Sequence, residues 1–142
     1  MAEEDVDAAP TPRQQEIIAS LRRTYEAFNR EDFDAAIAIA DPDVELITTG
    51  GMTKLRGADE LRAWMEPATL ENVSMEPELF EVIGNNVLVR QLSRGRGVGS
   101  GISVEMHFWS VWTIDEEGRV TRIIAFGDDE EAKAREAAER SE

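Results

Sequence analysis

The sequence holds no cysteine, one histidine and one tyrosine among its 142 residues. The missing cysteines exclude disulfides, thiolate nucleophiles and zinc–thiolate centres together. A single histidine excludes metal sites that need two or three imidazoles from one chain. A hard-cation site made of oxygens is left, but "DPDVEL" (41–46) lacks the glycine and the distal glutamate of a calcium loop. No metal or cofactor is therefore expected. Basic residues are also scarce, with 15 Lys and Arg against 30 Asp and Glu and a net charge of −15. Such a chain repels polyanions, so neither nucleic acid nor an anionic membrane surface is expected as a partner. No apolar run reaches the ~18 residues that a membrane span needs. The first ten residues, "MAEEDVDAAP", carry acids where a secretory signal carries bases and an apolar stretch. A cytoplasmic protein is expected.

The remaining residues fall into helical and then extended patterns. Thr11, Pro12 and Gln14 form a helix start, with a capping box between Thr11 and Gln14. Ile17, Leu21, Tyr25 and Phe28 follow at helical spacing, which predicts an amphipathic helix to about Asn29. A short second helix is expected from Asp32 to Ala40, stopped by Pro42. Residues 43–49 read as a strand and 50–57, "GGMTKLRG", as a loop. Residues 58–65 read as a third helix with Leu61, Trp64 and Met65 on one side.

Four strands are expected in the second half, at 73–83 with a break at Pro77, 86–94, 102–114 and 119–127. Turns at Gly84-Asn85-Asn86 and at 115–118 join them into an antiparallel meander. The glycine-rich "RGRGVGSG" (94–101) lies between two strands, so it reads as a hairpin tip and not as a phosphate loop, which joins a strand to a helix. In 131–142 the only apolar residues are alanines, so this stretch is expected to be a frayed, charged helical tail. The expected organisation is an acidic disordered tail at 1–10, one α+β domain at 11–130, and the tail at 131–142.

Three segments carry a family resemblance: "LRRTYEAFNREDFDAAIAIADPDVEL", "LRGADELRAWM" and "VWTIDEEGRVTRIIAF". They resemble the SnoaL-like branch of the nuclear transport factor 2-like superfamily, to which ketosteroid isomerase and limonene epoxide hydrolase also belong. The resemblance implies a cone, made of a strongly curved antiparallel sheet closed by N-terminal helices around an apolar cavity. It also implies a hydrophobic small molecule as ligand. The activities it implies are isomerase, cyclase, dehydratase or hydrolase chemistry without a cofactor. The alternative is a non-catalytic binding or dimerisation module of the same fold. The isomerase machinery, a worked example of pKa tuning, is not reproduced. Thr24 falls at its tyrosine, Thr48 at its basic aspartate and His107 at its oxyanion-hole aspartate.

The strand around 102–114 supplies the candidate site. Its alternation makes one set of Glu105, His107 and Trp109, and another of Met106, Phe108 and Trp112. The resemblance places the first set on the concave, cavity-facing side. His107 is then the expected acid/base, because histidine titrates near neutrality, with Glu105 or Tyr25 assisting. Trp109, Trp64, Thr48, Arg90 and Val111 are the expected ligand contacts. The second set would form an apolar outer face, which calls for a partner, and a homodimer through Met106, Phe108 and Trp112 is expected.

Overall fold

The computed structural model describes residues 11–48, 53–66 and 70–140. The acidic stretch expected at 1–10 lies outside the described residues. Helix α1 (Pro12–Asn29) starts as its sequence requires. Gln14 N–H donates to Thr11 Oγ1 at 3.1 Å, and Thr11 N–H donates back to Gln14 Oε1 at 3.0 Å. Helix α2 is only Phe33–Ala36, capped by Asp32, whose Oδ1 accepts from Ala35 N–H.

Strand β1 (Ala40–Ile47) then begins before Pro42, so the proline does not end a helix as expected. It falls where the pairing of β1 shifts register between Ala40 and Glu45, a place that tolerates a missing N–H. Strand β2 (Lys54–Arg56) and helix α3 (Ala58–Trp64) follow. Strands β3 (Leu70–Ile83), β4 (Asn86–Gly97), β5 (Ser103–Ile114) and β6 (Val120–Gly127) form the meander. The expected break at Pro77 is a bulge between Pro77 and Leu79 in a continuous β3, an edge strand, where a proline is accommodated. A 3₁₀ turn (Asp128–Glu130) leads into helix α4 (Glu131–Glu139).

The six strands make one sheet in the order β2-β1-β6-β5-β4-β3, with β1 and β6 parallel and the other pairs antiparallel. This is the expected α+β architecture of a sheet closed by N-terminal helices. Helix α1 covers one face, packing Leu21 and Tyr25 against Val87, Val89, Trp112 and Ile114. Helix α4 covers the other face, where Ala134 and Ala138 pack on Leu88, Trp109 and Val111. Both alanines are almost wholly buried, so 131–139 is part of the packed fold and not the frayed tail its composition suggested.

One buried side chain fastens α4 to the sheet. Asn86 Nδ2 donates to the carbonyls of Ala138 (2.8 Å) and Arg140 (3.1 Å). Asn86 Oδ1 accepts from Thr113 Oγ1 at 2.7 Å. The side chain thereby satisfies carbonyls that the end of a helix leaves without partners. Replacing Asn86 with Ala should strand those carbonyls and lower stability by about 1–3 kcal/mol. Urea unfolding followed by circular dichroism checks this, and an unchanged midpoint would remove Asn86 from that role.

Candidate functional site

The pairing of β4 with β5 settles which side chains share a face. Arg90 is opposite Trp109, Leu92 opposite His107, and Arg94 opposite Glu105. Trp109 and Val111 lie in the cluster beneath α4, so this whole set is on the outer face. The other set pairs Val87 with Trp112, Val89 with Ser110, Gln91 with Phe108, and Ser93 with Met106. Trp112 packs with Tyr25 of α1, so this second set faces the concave side.

The expected assignment of faces is therefore reversed. Glu105, His107, Trp109, Arg90 and Val111 do not reach the cavity. They share the outer face with a ladder of ion pairs. Glu76 and Glu105 bracket Arg94 at 2.8 and 2.7 Å. Glu78 and Asp128 bracket Arg90 at 3.1 and 2.9 Å. His107 Nε2 lies 3.3 Å from Glu78 Oε1. The Arg90 and Arg135 guanidiniums each lie within 6 Å of the Trp109 ring centroid, at 5.7 and 5.8 Å. Met106, Phe108 and Trp112, expected on an outer dimer face, instead line the inside, so the residue basis for that dimer falls away. Trp112 is buried beneath α1.

The concave face holds an apolar cavity of about 350 Å³, walled by Trp64, Val73, Met75, Met106 and Phe108 among others. A smaller recess of about 90 Å³ continues inward, past Tyr25, Phe28, Leu46 and Trp112. Trp64, Met75, Gln91, Ser110 and Ala125 line both spaces and mark their junction. Two expected ligand contacts, Thr48 and Trp64, and the expected assisting residue Tyr25 do lie on these walls. A wider groove of about 440 Å³ sits between α1 and the β5–β6 turn, but charged groups such as Arg13, Glu16 and Arg119 border it. Small-molecule sites are mostly apolar with a few placed polar groups, which singles out the concave cavity.

Its polar groups form a short chain. Tyr25 OH donates to Gln91 Oε1 at 2.6 Å. Gln91 Nε2 donates to Met75 Sδ at 3.2 Å and to Ser93 Oγ at 3.3 Å. Trp112 Nε1 donates to Ser110 Oγ at 2.9 Å. Among the described lining residues there is no carboxylate and no imidazole; Arg94 borders the space, with its guanidinium paired to Glu76 and Glu105. Tyr25 is the one titratable group buried there, packed edge-on to Phe80 and tilted against Trp112. Burial pushes its pKa far above the ordinary tyrosine value of 10.0, and Ser110 and Trp112 beside it offset this only in part. Gln91 and Ser93 were missed in the sequence. Their signal was present in β4, where Val87, Val89, Gln91 and Ser93 make an uncharged face opposite Leu88, Arg90, Leu92 and Arg94.

Among the described residues no group of three or more His, Cys, Asp or Glu could hold a metal ion. No helix among them is long and apolar enough to cross a membrane.

The model of the SnoaL-like domain family matches residues 21–123. No curated protein matches the sequence. Similar solved structures include an NTF2-like protein of unknown function from Burkholderia pseudomallei. It is 27% identical with a TM-score of 0.70, over 82% of this chain and 93% of that one. Another is a putative SnoaL-like polyketide cyclase from Jannaschia sp., 17% identical with a TM-score of 0.75 over 95% and 99% of the two chains. A third is an LEH-like epoxide hydrolase from Mycobacterium tuberculosis, 20% identical with a TM-score of 0.70 over 87% and 91%. The chain belongs to the SnoaL-like domain family of the NTF2-like superfamily.

Because Tyr25 is the sole tyrosine, its ionisation can be read directly. Its folded pKa lies above its unfolded one. The unfolded chain therefore releases this proton first as pH rises, and the contribution to stability, complete below about pH 10, is lost above it. The folded protein should show no tyrosinate absorbance through about pH 11, a unit above the ordinary tyrosine pKa of about 10. Above about pH 10 the stability of wild type should fall faster than that of Tyr25→Phe, by up to about 1.4 kcal/mol per pH unit. Alkaline absorbance titration and urea unfolding at stepped pH measure the two effects.

Proposed function

We propose that this SnoaL-like chain takes up an uncharged, mainly apolar small molecule in the concave cavity, and that it acts first as a binding module. The observation that carries this reading is the make-up of the wall. Large apolar side chains surround a short chain of hydroxyls and one amide, and the titratable phenol among them is held protonated. General acid/base catalysis needs a group that gains and loses a proton near the working pH, within hydrogen-bond reach of the ligand. His107 and Glu105 lie on the other side of the sheet, tied to Glu78 and Arg94.

A catalytic version rests on Tyr25. A phenol that stays protonated can polarise a ligand carbonyl if its one hydrogen bond turns from Gln91 to the ligand. The relatives named for polyketide cyclisation and epoxide hydrolysis share the fold at 17–20% identity, which supports the cone and leaves the reaction open.

A thermal-shift screen with steroids, aromatic polyketides, terpenoids and fatty acids tests the cavity. A ligand at 100 times its dissociation constant raises stability by about 2.7 kcal/mol. A ligand found in this way should keep its affinity in His107→Ala and lose it in Ala125→Phe, whose ring fills the junction of the two spaces. Lost affinity in His107→Ala, or retained affinity in Ala125→Phe, would move the site off the concave face. Turnover abolished in Tyr25→Phe with binding kept would establish the catalytic version.

A further inference from the structure

We propose that Gln91 is the specificity-determining residue of the cavity, and that it selects a neutral ligand bearing a carbonyl-type hydrogen-bond acceptor on an apolar frame. This rests on the concave cavity being the ligand site. Gln91 lies where the two spaces meet, only 7% exposed, with its amide against Tyr25, Met75 and Ser93.

Its orientation follows from its partners. Tyr25 OH donates to the amide oxygen at 2.6 Å, a short and well-made bond. The nitrogen faces Met75 Sδ. A thioether sulfur can only accept, so turning the amide over would set two acceptors against each other and break the bond from Tyr25. The amide is thereby locked with its N–H groups toward the cavity side. Those N–H groups are poorly used, because their partners are a weak sulfur acceptor at 3.2 Å and a hydroxyl at 3.3 Å. A ligand carbonyl is a stronger acceptor than either. Ser93 and Ser110 place hydroxyls on the same face.

The charge of the ligand follows from the wall. A carboxylate would also accept from Gln91, but its burial needs a paired cation. The cation bordering the space, Arg94, is already bonded to Glu76 and Glu105. An ammonium would find no carboxylate among the described lining residues. Tyr25 acts here as a positioning residue, setting which end of the amide meets the ligand.

The test uses three probes on one frame, namely acetylnaphthalene, ethylnaphthalene and naphthoate, with affinities measured by calorimetry. In wild type the ketone should bind about 3- to 10-fold tighter than the hydrocarbon, the worth of one net hydrogen bond, and naphthoate should bind weakest. Gln91→Met, of similar length and volume, should bring ketone and hydrocarbon to equal affinity while keeping the hydrocarbon's. Tyr25→Phe should reduce the ketone preference by releasing the amide, which loss of packing alone would not do selectively. Equal binding of ketone and hydrocarbon by wild type, a preference for naphthoate, or a ketone preference that survives in Gln91→Met would each overturn the role of Gln91 while leaving the cavity as a binding site. Failure of wild type to bind any of the three would overturn the cavity reading itself, and this inference with it.

Discussion

The contact between Tyr25 of α1 and Trp112 of β5 sets the phase of the sheet. The two rings lie 5.7 Å apart in the main core, with Leu21, Val87 and Val89 around them. Side chains alternate strictly along a strand, so once Trp112 faces α1, Ser110, Phe108 and Met106 must face the same way. His107, Trp109 and Val111 must then face away. Through the ladder the choice passes to β4 and places Gln91 and Ser93 inside and Arg90 and Arg94 outside. A one-residue slip would put guanidiniums in the cavity and leave Trp112 in water, which is why register is held so firmly where one face is buried.

The same phase separates charge from neutrality. The outer face carries Glu76, Glu78, Arg90, Arg94 and Glu105, paired with one another while still partly exposed. Exposed pairs contribute little each, about 0–1 kcal/mol, so they do not hold the fold together. Their effect is to occupy the groups that could otherwise act on a ligand. The inner face cannot afford unpaired charge, because ions are costly to take out of water without partners. Its polarity is limited to hydroxyls, an indole N–H and one amide. Every buried side-chain nitrogen and oxygen among the described residues finds a partner. The cavity is thus suited to hold and orient a neutral molecule more than to move protons.

Much of the architecture was legible in the sequence. The capping box at Thr11, the helical stripe Leu21–Tyr25–Phe28, the hairpin turn at Gly84-Asn85 and the order of the meander all correspond to what the chain adopts. These signals are local, and local chemistry decides them. The facing of β5 was not legible from β5 alone. Both of its alternating sets contain a tryptophan, so alternation defines two faces without saying which is inward. Matching the chain to the isomerase pattern put His107 at the oxyanion-hole position and so in the cavity, but β5 carries a register shift between Thr113 and Ile114, and an offset of one residue exchanges the two faces. The deciding signal lay on the neighbouring strand, where Arg90 and Arg94 share a face that could not line an apolar pocket without partners. Long-range pairing has to be known before that signal can be carried across to β5.

The C-terminal helix shows a similar limit of reading composition alone. An all-alanine apolar stripe looks too weak to bury, since alanine contributes little area. Here the sheet supplies the area. Leu88, Trp109 and Val111 face outward and need a cover, and Ala134 and Ala138 let the α4 backbone lie close against them. A larger residue at either position would lift the helix and uncover the tryptophan. The far side of α4 exposes Glu131, Lys133, Glu136 and Glu139, and Arg135 reaches back to Glu81 at 3.0 Å and over the Trp109 ring. The small side chains that made this segment look peripheral are therefore what allow it to close the outer face. That closure keeps Trp109 out of solvent without adding anything to the cavity on the other side.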